Sequence, residues 1–389
     1  MAVFGLALLA GCATSSDGPQ SGASQGTSQT GVARVLTPNP VGEVIGNGDV
    51  RVSLLVPATI PGGAAAVAKE LRNGAAMAIQ DFGQNRIQLV VKDTKGQAAN
   101  AQASANEAVS EGSSLVLGPL FAANVSAASG VTLPANIVTI AFSTDTTVAR
   151  RGVYLFSYTP QSDTRRILNF ASSLGRNSIA AFLPRNPEGN LRERVLRQTA
   201  GANGFSLNVI KYDRTPQGIE QAINDSVGSV QTNDTIYIPE GGPIPGIILS
   251  GLGRNGVDVK SKQVLGSGNW ESVKASDPLV QGAYYPGRDI SRFNNFATRY
   301  QGQFGSRPGV QAALAYDAVT LASELVRIHG PNAFSSRNLE VARGFQGING
   351  AFRIRSNGIT ERGLAIYKIS GGRGTLAEPA ISNFSGRGS

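Results

Sequence analysis

From Val50 onward, short apolar runs alternate with longer segments in which apolar residues recur every three or four positions. The first run covers residues 50–56 and ends before Pro57, and the segment 64–82 follows it. A short apolar run predicts a buried strand, whereas the three-to-four spacing predicts an amphipathic helix. The same pattern predicts further strands at 87–91, 114–117 and 137–141, and helices at 98–110 and 121–130.

The alternation restarts after residue 164. It predicts helices at 165–174, 191–203, 217–229 and 244–252, and strands at 178–183, 206–211, 235–238 and 263–265. Strands joined through helices need crossover connections, so they lie parallel and carry ligand-facing loops at their carboxyl ends. The sequence therefore predicts an α/β protein with two lobes, each a mostly parallel sheet flanked by helices.

The last third of the chain begins with two predicted helices, at 291–303 and 310–328. Two strands follow, at 350–355 and 363–369, and the turn Ser356-Asn357-Gly358 between them is typical of a hairpin. Residues 371–389 are predicted to be a flexible tail.

The first twelve residues form an apolar segment that is too short to cross a bilayer as a helix, which needs about 20 residues. The segment ends in Leu9-Ala10-Gly11-Cys12, which resembles the lipobox of bacterial lipoproteins. We therefore expect residues 1–12 to be a lipoprotein signal peptide and Cys12 to be lipidated. Ala13 follows, where an aspartate is the usual inner-membrane retention signal, so the resemblance implies an outer-membrane lipoprotein facing the periplasm. Residues 13–49, rich in Ser, Gly and Gln, are predicted to be a flexible linker.

Composition argues against several classes of function. The net charge of +9 comes from scattered Lys and Arg, and aromatic residues make up only 6% of the chain, so the signature of nucleic-acid binders is missing. One cysteine and one histidine cannot form an internal disulfide or a zinc site, and they give little support to nucleophilic catalysis. We expect a protein that is not an enzyme and that holds no metal or cofactor.

Four segments resemble the type 1 periplasmic binding proteins, in particular the leucine/isoleucine/valine-binding branch. They are Leu71-Arg-Asn-Gly-Ala-Ala-Met-Ala-Ile79, then Val91-Lys-Asp-Thr-Lys-Gly-Gln97 with 107–112 and Val116-Leu-Gly-Pro119, then Ala315-Tyr-Asp-Ala-Val319, and finally Gly347-Ile-Asn-Gly-Ala-Phe352. The resemblance implies a first lobe of residues 50–159 and 285–345, and a second lobe of residues 160–284 and 346–370. It also implies a ligand cleft between the lobes.

Loops at strand ends are expected to face this cleft. Amino-acid binders of this branch usually offer a hydroxyl after the Gly-Pro pair, but here Leu120, Phe121 and Ala122 follow Pro119, and only Ser143 and Thr144 remain at the second carboxylate loop. Trp270 is equally well explained by a cleft position and by packing. The candidate ligand-binding residues are Phe121, Ser143, Thr144, Tyr158, Arg185, Glu240, Asn269 and Trp270.

The lipobox, the long linker and the altered cleft together resemble the penicillin-binding-protein activators, outer-membrane lipoproteins that dock on a peptidoglycan synthase. The leading hypothesis is therefore a non-catalytic activator of such a synthase, anchored in the membrane by lipid. The alternative is the substrate-binding protein of an ABC transporter for amino acids or related small solutes. The expected partners are thus a membrane, a synthase and, in the alternative, a small polar ligand such as an amino acid, but not nucleic acid.

Overall fold

The computed structural model of the protein describes residues 34–384. The predicted signal peptide, Cys12 and the linker up to residue 33 lie outside this part of the chain. Among the residues described, no helix has both the length and the apolar character needed to span a bilayer.

The first lobe is built on a six-stranded sheet with the strand order β1-β3-β2-β4-β5-β6, parallel except for β1. Alternate residues of β2 pack on opposite faces: Leu54 joins a core with helices α1 and α9, and Leu55 joins another with α2 and α3. Burial on both faces explains why five of the seven residues of β2 are apolar, and the two polar ones, Arg51 and Ser53, are buried with hydrogen-bond partners. The elements are β1 (Glu43–Ile45), β2 (Val50–Val56), α1 (Gly63–Ala78), β3 (Ile87–Asp93), α2 (Ala98–Ser110), β4 (Leu115–Leu117), α3 (Ala122–Thr132), β5 (Val138–Ala141) and β6 (Val153–Leu155).

The second lobe is built on a seven-stranded sheet with the order β16-β15-β11-β10-β9-β7-β8. The strands from β8 to β11 are parallel, and β15 and β16 are antiparallel additions at the β11 side. Helices α4 and α5 pack on one face, and α6 and α7 pack on the other. The elements are α4 (Pro160–Ser173), β7 (Ser178–Pro184), α5 (Pro187–Asn203), β8 (Ser206–Tyr212), α6 (Pro216–Thr232), β9 (Thr235–Tyr237), α7 (Ile244–Arg254), β10 (Gln263–Leu265) and β11 (Tyr284–Gly287).

The chain then adds helices to the first lobe and closes with short strands. Phe296 in α8 and Leu314 in α9 are buried in the first-lobe core, and so is Phe352 in β13. A third sheet has the order β12-β13-β14 and is antiparallel. These last elements are α8 (Ile290–Phe304), α9 (Val310–His329), α10 (Ser336–Leu339), β12 (Phe345–Gly347), β13 (Gly350–Ile354), β14 (Thr360–Arg362), β15 (Ala365–Ser370) and β16 (Arg373–Glu378).

The two-lobed α/β fold predicted from the sequence is confirmed, but the predicted closing hairpin is wrong. The turn at 356–358 joins β13 to the short strand β14, and β15 pairs with β11 and β16 instead. The cores explain the difference, because Phe352 and Ile354 pack in the first lobe, whereas Ile366 and Ile369 pack in the second. One hairpin could not fill both cores.

Two segments predicted to be flexible contain ordered strands. Within the predicted linker, β1 pairs with β3, and the buried Arg51 side chain donates to the carbonyl of Thr37 at 2.8 Å. Within the predicted tail, β16 pairs with β15 at the edge of the second sheet. Both are edge strands whose residues are mostly exposed, which apolar periodicity does not detect. The exact lobe boundaries stay a prediction.

Candidate functional site

A cavity of about 900 Å³ lies between the two large sheets. The first lobe contributes Thr144–Thr147, which follow β5, and Val310 at the start of α9. The second lobe contributes the first turns of α4 and α5, the turn with Gly268 and Asn269, and the end of β11. The volume falls within the range of small-molecule sites, which is about 300–1,000 Å³.

Three helices begin at this cavity, because α4, α5 and α9 start at Pro160, Pro187 and Val310. Some of the donors at these starts are already used: the Ser162 N–H donates to the carbonyl of Thr159 at 3.0 Å, and the Gly309 N–H donates to Glu70 Oε1 at 3.0 Å. The remaining N–H groups of the first helical turns carry partial positive charge and attract anions. The cavity is therefore suited to a ligand with an anionic group.

The second-lobe wall is held by the buried guanidinium of Arg192. Its Nη1 atom lies 2.6 Å from Asp163 Oδ1, and its Nη2 atom lies 2.9 Å from Glu188 Oε1. The same Nη1 donates to the hydroxyls of Thr164 and Tyr237 at 3.0 and 3.2 Å. Burial alone would lower the pKa of Arg192, but the charge of Asp163 raises it above the ordinary value. The cation is therefore permanent, and this wall is pre-organised.

Asp163 also ties this wall to the turn beyond β10, because its Oδ2 accepts a hydrogen bond from the Gly268 backbone N–H at 3.1 Å. Burial of the Tyr237 hydroxyl beside these charges raises the pKa of Tyr237 to about 12. The phenol therefore stays protonated and keeps its hydrogen bonds.

The first-lobe wall has a different character. Thr144, Asp145 and Thr147 are exposed to the cavity. The Asp145 carboxylate accepts from the Thr147 backbone N–H at 3.0 Å and from the Thr147 hydroxyl at 2.7 Å. Within residues 34–384 no ion pair involves Asp145. This wall offers hydroxyls and a carboxylate to a ligand.

Tyr158 and Arg288 line the part of the cavity where the chain passes between the lobes. The Tyr158 hydroxyl is buried and has no hydrogen-bond partner among the described residues, and burial raises its pKa above the ordinary value. Arg288 pairs with Glu271 at 2.8 Å and lies 4.7 Å from the centre of the Phe293 ring. Arg362 stacks on the Tyr158 ring, 4.8 Å from its centre.

The eight sequence-predicted residues divide into two groups. Thr144, Tyr158 and Asn269 line the cavity, whereas Phe121, Ser143, Arg185, Glu240 and Trp270 do not. Ser143 is buried, and its hydroxyl accepts from the Asp145 backbone N–H at 3.2 Å. Phe121 immediately precedes α3, and its ring lies against the turn at Gly96. The roles of all eight in ligand binding stay predictions.

The side chains of the remaining three residues make their contacts outside the cavity. Arg185 is exposed, 3.7 Å from Asp213, and the buried Glu240 accepts a hydrogen bond from Tyr212 and pairs with Arg214. Only 2% of Trp270 is exposed, and its Nε1 donates to the carbonyl of Ile238 at 2.7 Å, so its position favours packing.

Sequence reasoning missed Asp163, Arg192, Arg194 and Arg288, all of which line the cavity. Arg192 and Arg194 lie near the start of a predicted helix that follows a strand, which was the one signal available. Among residues 34–384 there is also no group of three His, Cys, Asp or Glu side chains that could hold a metal ion.

The comparisons with known proteins agree with this geometry. A family model described as "Periplasmic binding protein" matches residues 49–373. No curated protein matches the chain.

Solved structures match the chain over most of its length. A candidate branched-chain amino acid ABC transporter protein from Rhodospirillum rubrum has a TM-score of 0.74 at 16% identity, covering 84% of this chain and 99% of its own. A leucine binding protein from Thermotoga maritima has a TM-score of 0.59 at 18% identity, with coverages of 86% and 99%. A solute binding protein of an ABC transporter from Rhodopseudomonas palustris, in complex with 3,4-dihydroxybenzoic acid, has a TM-score of 0.58 at 18% identity, with coverages of 86% and 97%. At these identities the similarity shows the fold alone.

Proposed function

Because the chain belongs to the periplasmic binding protein family, we propose that it binds a small organic solute in the cavity between its lobes and presents it to an ABC transporter. The proposed solute carries a carboxylate next to an apolar body. Members of the family and the neighbouring structures are binding proteins, and the family is typical of the periplasm.

One unpaired cation supports a solute with an anionic group, in a lining that holds four carboxylates and three guanidinium groups. Glu188 and Asp163 are already paired with Arg192, and Glu271 is paired with Arg288. Arg194 also lines the cavity, is exposed, and forms no ion pair or hydrogen bond with the described residues. The available cation is therefore Arg194.

The rest of the lining supports an apolar body. Leu191, Val310 and Leu364 contribute apolar surface, as do prolines at the helix starts. Asp145 adds a carboxylate on the opposite wall, which favours a ligand ammonium group. Amino acids with apolar side chains and aromatic carboxylates both belong to the proposed class.

A thermal-shift measurement tests this proposal directly. The panel is leucine, isoleucine, valine, benzoate and 3,4-dihydroxybenzoate, and a ligand at 100 times its Kd should stabilise the folded chain by about 2.7 kcal/mol. Arg194→Gln should reduce the shift, whereas Arg337→Gln, the same change on exposed α10, should keep it. A panel that leaves the melting temperature unchanged would reject this solute class.

A second candidate is the activation of a peptidoglycan synthase. It is favoured by Leu120, Phe121 and Ala122, which provide no hydroxyl where amino-acid binders of this branch usually have one. The predicted lipid anchor at Cys12 belongs to the same proposal. Immobilised full-length protein should retain a bifunctional synthase from detergent-solubilised membranes of the same cell and raise its polymerisation rate. Failure of both assays would remove this candidate.

A further inference from the structure

A second cavity, of about 460 Å³, opens between α4 and α5 of the second lobe and the strands β13 and β14. Five arginines line it, and we refer to it as the arginine pocket. They are Arg165, Arg166, Arg353, Arg355 and Arg362. Of the eight residues proposed from the sequence as ligand contacts, none lines this cavity.

The positive charges of the arginine pocket exceed the negative charges that face them. Glu361 is the carboxylate of the lining, and it pairs with Arg353 at 2.6 Å and with Arg165 at 3.1 Å. Arg166 pairs with Glu378 at 3.0 Å. Even if Arg362 is balanced by the charge of Asp317, four guanidinium groups face two carboxylates.

One of the arginines, Arg355, has donors that no described residue uses. The half-buried Arg355 side chain makes no hydrogen bond or ion pair within residues 34–384. Arg362 is only 4% exposed, and its guanidinium group lies against the Phe156 and Tyr158 rings, so it adds positive charge near the pocket but no accessible donor. The planar guanidinium group of Arg355 suits paired contacts with carboxylate or phosphate oxygens.

From these observations we propose that the arginine pocket binds a small polyanion with at least two phosphate or carboxylate groups. The volume suits a molecule of the size of diphosphate or a tricarboxylate. Neutral donors at the rim, Asn169, Gln198 and Asn203, add hydrogen bonds to its outer oxygens. This site is separate from the proposed solute site and does not depend on it.

The position of the pocket gives the bound anion a further effect. Helix α4 contributes Asp163 to the central cavity and Arg165 to the arginine pocket, and Leu364 lines both cavities. Strand β13 carries Arg353 on the pocket side and buries Phe352 in the first-lobe core. A polyanion therefore bridges elements of both lobes, and its binding is coupled to their relative orientation.

Isothermal titration calorimetry of the full-length protein, with thermal shift as a second readout, tests the proposal. Pyrophosphate and citrate are the two probes and distinguish phosphate from carboxylate ligands, and acetate is the monovalent control. We expect at least one probe to bind and acetate not to bind. Affinity should fall with added salt, because exposed charges are screened.

Two variants distinguish specific binding in the arginine pocket from non-specific attraction of an anion to a basic protein. Arg355→Gln should weaken probe binding about tenfold, the loss expected for one charge-assisted hydrogen bond. The melting temperature without probe should stay unchanged, because the Arg355 side chain has no partner to lose. Arg337→Gln removes the same charge from α10 and should leave binding unchanged. Absence of binding by both probes, or equal weakening in the two variants, would overturn the proposal.

Discussion

Two buried charged clusters of the molecule differ in how completely their hydrogen bonds are satisfied. In the second lobe, Arg192 has two carboxylates and two hydroxyls as partners, and Asp163 has a further backbone partner at Gly268. The desolvation of a buried cation is offset only by such complete pairing. This cluster fixes one wall of the central cavity.

The second cluster lies at the crossing between the lobes and is poorly satisfied. Asp317 accepts from the Ile348 backbone N–H at 2.7 Å through Oδ1, but its Oδ2 atom has no partner among the described residues. Arg362 donates to the carbonyl of Phe156 at 3.2 Å. The Tyr158 hydroxyl, like Asp317 Oδ2, has no hydrogen-bond partner among the described residues.

The contrast indicates where the fold is rigid and where a rearrangement has a low free-energy cost. A buried group without a partner costs about 1–3 kcal/mol, so a rearrangement that supplies partners at the crossing is favourable. No comparable gain exists around Arg192. We therefore expect ligand-linked motion to occur at the crossing, and the second-lobe wall to move as one unit.

The largest effect is expected when the satisfied cluster loses its cation. Arg192→Met keeps the length of the side chain but leaves the partly buried Asp163 without its cation and the buried Thr164 and Tyr237 hydroxyls without their donor, which should lower the free energy of unfolding by about 3–5 kcal/mol. Urea denaturation at pH 7 measures this. Arg197→Met, which breaks the exposed pair with Glu193, should cost less than about 1 kcal/mol. Equal losses of unfolding free energy in the two variants would show that the Arg192 cluster contributes no more than an exposed ion pair.

The poorly satisfied cluster should make the free energy of unfolding depend on pH. Burial raises the pKa of Asp317 to about 6, above the value in the unfolded chain. The folded chain therefore binds this proton more tightly than the unfolded chain does. The resulting gain in the free energy of unfolding is fully present below about pH 4 and is lost as the pH rises through 6. The expected loss is about 2–3 kcal/mol between pH 4 and 7.

Asp317→Asn removes this titration and should flatten the stability profile over that window. Asp225→Asn, the same change on the exposed face of α6, should retain the wild-type profile. A profile that stays steep in Asp317→Asn would show that other groups cause the dependence.

A smaller effect is expected at Trp270. Trp270→Phe leaves the Ile238 carbonyl without its donor and should cost about 1–2 kcal/mol. Solute affinity should not change, because the side chain packs in the second-lobe core and does not line the cavity. A loss of affinity without a loss of stability would instead place this residue in the ligand site.

Hydrophobic periodicity predicted much of the fold because most strands are buried on one or both faces. Helix α2 was predicted with its observed bounds, Ala98–Ser110. The edge strands β1 and β16 and the short β6 were missed, because β1 and β6 have only three residues each and β16 is mostly exposed. A pattern of apolar residues indicates which residues are buried, and an edge strand buries few of its residues.

The candidate site was less predictable because long-range pairing decides it. Arg185 and Glu240 do lie near strand ends, but Asp213 and Arg214 from the neighbouring β8 end engage them outside the cavity. Gly268 meets Asp163 across 105 positions of sequence. Residue type and local pattern do not reveal such contacts.

The central claim is that the cavity between the lobes is the solute site. Its most direct test is the thermal shift of the wild type, Arg194→Gln and Arg337→Gln against the five carboxylates. The account predicts that at least one compound raises the melting temperature of the wild type and of Arg337→Gln, with a smaller shift for Arg194→Gln. An unchanged melting temperature with every compound, or equal shifts in all three proteins, would contradict it.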